Sequence, residues 1–491
     1  MANGWWIRPK SRPPSRVVWR KSVTAAAPCC MPASRNSDSA KAMSKPLAQS
    51  YIAAHAAFRS GVDTPRDFLE RRLACMEEWE GKIHAFVSTN LPAARTAADR
   101  STERWRAGCP LSPVDGMPVG IKDIIETADM PTEQGSPLFK SWRSVRDSAA
   151  VSALREAGAV IVGKTVTTEF AAVEPGPTRN PCDTSRTPGG SSSGSAAAVA
   201  AGIVSAALGT QVIGSIIRPA SYCGCYGYKP SVGSINRGGS FDYLSQSCAG
   251  VLAATLEELW IVAREVSARA GGDPGFHGLS GPRQAPAARQ PKSVAVLETA
   301  GFSSLVPECA KLFAEFQDRL AGNGVRLLTR GNTAAVAEVE DAIRDAGTLS
   351  RKINAWEFRW PLNTYARDLG VEGLSQTMRT RLKEAESMTL EHYQNLLIDR
   401  IRCRDIYARL ASMSDACITL AAPGPAPVGL ASTGDPTFAI PGSLLGVPAV
   451  SMPIFQIDGL PLGLQVLGFS ERDADLFGVA AALESAAGRA P

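Results

Sequence analysis

Three short segments put reactive side chains where the surrounding pattern is apolar or glycine-rich. In Gly120-Ile121-Lys122-Asp123 a lysine closes an apolar run, which places its amine at a strand end. Pro188-Gly189-Gly190-Ser191-Ser192-Ser193-Gly194-Ser195 sets four serines among three glycines ahead of an alanine-rich helix. Gly209-Thr210-Gln211-Val212-Ile213-Gly214-Ser215 delivers a further serine after a glycine-containing turn, 24 residues beyond Ser191. The serine-rich loop admits more than one chemistry. Glycine amides at a helix N-terminus bind anions, but the loop lacks the GK[ST] ending of a P-loop, and no Lys or Arg lies within the next twenty residues. Gly190 to Gly194 matches GxSxG with Ser192 central, a motif that needs an apolar strand leading into the turn. Here Asp183-Thr184-Ser185-Arg186-Thr187-Pro188 leads in, polar and ending in proline, so the match is accidental. A serine hydroxyl is a weak nucleophile until a base removes its proton. The four histidines (His55, His84, His277, His392) stand outside all of these segments, so the base must be another group. A lysine serves if burial and neighbours keep it neutral.

Taken together, the three segments resemble the amidase-signature family. The likeness extends to Gly135-Ser136, AGAVIVGKTVTTEFA (157–171), TRNPCD (178–183), PGGSSSGSAAAVAAG (188–202), CGCYGYKPSVG (223–233), GVPAVSMP (446–453) and GLPLGLQVLG (459–468), in that order. It covers about residues 46–488. The resemblance implies an amidase that hydrolyses a carboxylic amide through an acyl-serine, with Ser215 as nucleophile, Ser191 as proton relay behind a cis peptide, and Lys122 as base. It further implies an oxyanion hole from the backbone N–H groups of Val212, Ile213, Gly214 and Ser215. The same resemblance implies that Gly189 and Gly190 ease the turn and face the substrate. Two departures stand out. Many members read Asp-Thr-Gly-Gly-Ser where this chain has Gln211-Val212-Ile213-Gly214-Ser215, and a β-branched Ile213 would be strained if the turn needs positive φ there. The arginine also sits one place later, in Ser215-Ile216-Ile217-Arg218-Pro219. That variant resembles a malonamidase-like branch and implies that Arg218 meets a substrate carboxylate; the other reading is a structural arginine bonding carbonyls or an aspartate. The same resemblance keeps open a glutamine-amidase subunit of a tRNA-dependent amidotransferase, and carbamate or ester substrates.

Residues 46–108 read as helices, among them 64–80 and 91–107. Beyond 115 short apolar strands and helices alternate: Met117 to Ile121 as a strand, Ala149 to Glu156 as a helix, Ala159 to Val162 as a buried strand. After a Gly/Pro-rich connection at 270–292 come a strand at 294–298 and a helix at 306–321. Helical patterns then fill 333–413, and α/β texture returns at 416–421, 447–453 and 463–468 before a last helix near 473–487. The expected fold is a single large α/β core, a mixed central β-sheet covered by helices, with the helical insertion forming pocket walls. Residues 187–217 hold no charged residue over 31 positions, yet Gly, Ser and Ala dominate, so a membrane span is excluded and a buried glycine-serine core is expected.

Net charge is +5, with eight basic residues against one acid (Asp38) in residues 1–42. The remaining body is near neutral, which argues against a nucleic-acid surface. The tail reads as a disordered extension or an over-extended start ahead of Met43, with an Arg-rich transit peptide as the other reading. The domain itself is expected over 43–491. Eleven cysteines without CxxC pairs or a signal peptide point to reduced thiols in the cytoplasm, and no metal cluster is legible. The sequence thus leads to a small-molecule amide substrate, no cofactor, no metal, no nucleic acid and no membrane, and leaves a homodimer open.

Overall fold

The computed structural model describes residues 48–488; the expectations for the basic tail at 1–42 lie outside them. Among the described residues eleven strands form one sheet. They are β1 (Phe86–Thr89), β2 (Pro118–Lys122), β3 (Val160–Thr165), β4 (Ala206–Gln211), β5 (Tyr226–Lys229), β6 (Cys248–Ala253), β7 (Ser293–Val296), β8 (Arg326–Leu328), β9 (Ala416–Leu420), β10 (Ala449–Ile457) and β11 (Leu460–Leu467). Their spatial order is β1-β3-β2-β4-β6-β5-β10-β11-β9-β7-β8. The sheet is mixed: β3, β2 and β4 run parallel, as do β9, β7 and β8, while the strands between alternate in direction. This is the expected α/β core.

The central strands are buried along their whole length, as a sheet covered on both faces requires. The helix Ser193–Ala200 is also buried on every side, because serine, glycine and alanine leave room for β3 and β4 to approach it. A Cβ on Gly194 would overlap the Ala85 carbonyl oxygen, so only glycine fits there. Within 187–217 only Val212 and Ile213 are partly exposed, and the expected glycine-serine core is present.

The stretch 46–108 is not wholly helical. Pro65–Ile83 and Leu91–Arg106 are helices, but β1 lies between them and pairs antiparallel with β3. Four residues between helices, with alternating burial, are too short a pattern to stand out beside helical periods. The region 333–413 folds as four helices, Ala334–Ile343, Ala346–Tyr365, Gln376–Glu386 and Leu390–Ala408, between β8 and β9. As expected, its second and third helices wall a cavity. No described helix is long and apolar enough to cross a membrane, and Cys75, Cys109, Cys223, Cys225, Cys248, Cys309, Cys403 and Cys417 are free thiols.

Candidate active site

Parallel pairing of β2 with β4 decides where the site lies. Ile121 is in register with Leu208, so Lys122 at the end of β2 reaches Thr210 near the end of β4. Lys122 is fully buried. Its Nζ lies 2.7 Å from Ser191 Oγ and 2.8 Å from Thr210 Oγ1. Among the described residues no carboxylate touches it. Burial lowers its pKa to about 7, partly opposed by the Asp242 carboxylate. Asp242 is itself buried, raised by desolvation, and accepts a hydrogen bond from Ser247 Oγ. An amine lowered this far is neutral in a large fraction of molecules at neutral pH, and Ser191 can then donate its hydroxyl proton to it.

The peptide between Gly190 and Ser191 is cis, as the resemblance implied. Gly189, at φ +82°, makes the preceding turn, and a side chain there would run into Pro219. The other serines of the loop are occupied in holding it. Ser192 Oγ accepts from Thr210 N at 3.3 Å and donates to Thr210 O at 3.2 Å; Ser195 Oγ donates to Leu208 O at 3.1 Å. Ser192, the centre of the GxSxG match, is therefore stapled to β4.

Ser215 stands at the wall of a cavity of about 650 Å³. The Ser192 N–H donates to the Ser215 carbonyl at 3.3 Å, tying the two serine segments together. Gln211 explains the departure before Ser215. Its Oε1 accepts from the N–H groups of Ile216 and Ile217 at 2.9 and 3.0 Å, which caps the helix Ile217–Cys223 that follows. Its Nε2 donates to Ser443 Oγ at 3.1 Å. Neither Val212 nor Ile213 has a positive φ, so the β-branched residues are unstrained. Gln246 Nε2 donates to Val212 O at 3.0 Å. That fixes the peptide plane, so the Ile213 N–H points the opposite way. Among the described residues no acceptor takes the N–H of Ile213, Gly214 or Ser215.

Arg218 is buried at the same cavity. One guanidinium nitrogen, Nη2, donates to the Gly190 carbonyl at 2.6 Å and to Thr433 Oγ1 at 3.0 Å. Its Nε and Nη1 have no partner among the described residues. Burial lowers its pKa, opposed by Tyr222 and Asp435. Thr210, Asp242, Gln246 and Thr433 were not found from the sequence, since nothing in their local spacing marks them. Among the described residues no group of His, Cys, Asp or Glu is arranged to hold a metal ion.

The chain resembles known proteins in both sequence and fold. The family model described as Amidase matches residues 67–477. A subunit of the Glutamyl-tRNA(Gln) amidotransferase from Chloroflexus aggregans is 42% identical over 241 residues, 48% of this chain and 49% of that protein. The protein of the same name from Salinispora arenicola is 32% identical over 464 residues, 83% of this chain and 91% of its own. A solved structure described as an amidase superposes with a TM-score of 0.76 at 27% identity, covering 89% of this chain and 99% of the other. The chain belongs to the amidase family of hydrolases.

Proposed function

We propose that the chain hydrolyses the C–N bond of a carboxylic amide through an acyl-enzyme on Ser215. Neutral Lys122 takes the Ser191 hydroxyl proton as Ser191 takes that of Ser215, and Ser215 Oγ attacks the amide carbonyl carbon. The carbonyl oxygen becomes an oxyanion. The N–H groups of Ile213, Gly214 and Ser215, with Val212 beside them, receive it, and each such donor is worth about 3 kcal/mol in rate. The proton passes back to the leaving nitrogen, ammonia or an amine departs, and water releases the acid by the same steps in reverse. The observation that carries this reading is the contact of a fully buried lysine with Ser191 Oγ alongside a run of backbone donors that, among the described residues, have no acceptors at Ser215.

The substrate reading rests on Arg218. Two of its guanidinium nitrogens are buried without a partner among the described residues, an arrangement that costs several kcal/mol of desolvation unless an anion arrives. A carboxylate on the substrate meets that need by a charge-assisted pair. The bond from Nη2 to Gly190 O aims the guanidinium and ties the Gly189-Gly190 turn to the substrate side.

A second reading is favoured by the names of the relatives: the amide is that of glutamine, and the chain works as one component of a tRNA-dependent amidotransferase. Glutamine also carries a carboxylate for Arg218. Ammonia release from glutamine by the chain alone and with whatever co-elutes from its native source tests both. Release only in the presence of a partner supports the amidotransferase reading; hydrolysis of small amides by the chain alone, with glutamine refused, overturns it.

A further inference from the structure

The cavity beside Ser215 is larger than a short amide requires, and one of its walls is built from aromatic rings that the chemistry does not use. Phe170 comes from the loop after β3, Phe241 from the loop between β5 and β6, and Phe358 from the helix Ala346–Tyr365. Three distant segments thus converge on one wall, with Leu362 among them. A volume of about 650 Å³ lies within the ~300–1,000 Å³ typical of sites that enclose a whole small molecule.

The rings are braced from behind. Phe170 stacks on Tyr365 at 5.2 Å between centroids and meets Phe139 edge-on at 6.0 Å. Phe241 meets Trp142 edge-on at 5.4 Å and packs on Phe139 at 6.1 Å. Phe358 contacts Phe170 at 6.4 Å. Phe241 and Phe358 nonetheless remain half-buried, and both line the cavity. The backbone of Phe170 is unusual as well. Phe170 and Ala171 are consecutive non-glycine residues in the left-handed region, at φ 49° and 56°. They are held there by bonds from Phe170 N to Gln134 O at 2.8 Å and from Ala171 N to Thr168 O at 2.9 Å. Both line the cavity. Strain of this kind persists where the surroundings over-determine a geometry, and such places cluster at ligand clamps.

We infer that this wall selects amides bearing an aryl or comparably flat apolar group, held against Phe170 between Phe241 and Phe358. The inference rests on the proposal that Ser215 hydrolyses an amide, and it deepens that proposal by naming a substrate class. Edge-to-face and offset-stacked contacts add to simple burial, so three rings around one substituent give a preference that a small polar amide such as glutamine would not draw on.

The test uses two matched pairs, acetamide with phenylacetamide and succinamate with phenylsuccinamate, together with L-glutamine. Within each pair the aryl member is expected to have a kcat/KM at least about tenfold higher. Phe358→Ala and Phe241→Ala should fall on the aryl member at least about fivefold more heavily, mainly through KM, and Phe358→Trp should restore the preference. Equal kcat/KM within the pairs, or equal losses on both members in the alanine variants, overturns the inference. Calorimetry of Ser215→Ala protein with phenylacetate and acetate separates the two readings. Tighter binding of phenylacetate with no amide turned over by the native chain would overturn the role of Ser215 and uphold the aromatic wall. Turnover with no preference for phenylacetate would do the reverse.

Discussion

Lys122 and Lys164 sit on neighbouring parallel strands, and both are fully buried. They differ in what touches them. Lys164 Nζ lies 3.0 Å from Asp123 Oδ1 and also donates to Thr132 Oγ1 at 2.6 Å and to the Pro131 carbonyl at 3.0 Å. Lys122 touches hydroxyls and, more weakly, the Thr210 carbonyl at 3.4 Å. Burial lowers both amines, but at Lys164 the adjoining carboxylate pushes back, whereas among the described residues the charge opposing burial at Lys122 is the more distant Asp242. Burial pushes Asp123 up to about 6, opposed by the Lys164 ammonium beside it. The same residue type at the same depth is therefore ion-paired on one strand and held by hydroxyls on the next. A carboxylate contact decides which.

Breaking each lysine should expose that difference. Lys122→Met should lower kcat by about 10,000-fold or more, in line with loss of a member of a concerted catalytic group. It should leave thermal stability equal or higher, because a buried amine gives way to an apolar chain of similar volume. Lys164→Met should do the opposite. Asp123 would be left as a buried carboxylate without its partner, at a cost of about 3–5 kcal/mol. Denaturant unfolding measures that loss, and the pH–rate profile of the surviving folded fraction should keep its shape. If both variants lose activity without losing stability, the contrast fails.

A smaller effect concerns Arg218. Arg218→Gln should raise KM for acid-bearing amides by about tenfold or more while sparing neutral ones. Equal losses on both classes would make Arg218 purely a brace for Gly190.

A last effect is on stability as a function of pH. Lys122 is lowered to about 7 from an ordinary value of 10.5. Between these limits the unfolded chain holds more protons than the folded one, so stability rises with pH through that window. The rise should be shallower in Lys122→Met. An unchanged slope would show that Lys122 keeps its ordinary affinity for the proton.

The core of the candidate site was proposed from sequence because its residues lie in ordered segments. Lys122, Ser191 and Ser215 each end or open a recognisable glycine-bearing stretch, and rejection of Ser192 followed from the polar lead-in at 183–188. What surrounds them was not legible, for physical reasons. Asp123 adjoins Lys122 in sequence, yet its carboxylate pairs with Lys164, since successive side chains on a strand point to opposite faces. Gln211 looked like a defect in the approach to Ser215 and is a cap for the next helix. Its function depends on where Ile216 and Ile217 turn, which no local pattern encodes. The broad fold was readable from alternation after residue 115. The edge strand β1 was not, because four residues between two helices carry too little period to register.

Covalent labelling with a serine-directed phosphonate, followed by mass mapping of the adduct across pH, tests the central claim most directly. The predicted result is a single adduct on Ser215, formed at a rate that rises with a midpoint near pH 7, the value to which burial brings Lys122, and abolished in Lys122→Met. An adduct on Ser192, no adduct on folded protein, or labelling of Ser215 that ignores Lys122 would contradict it.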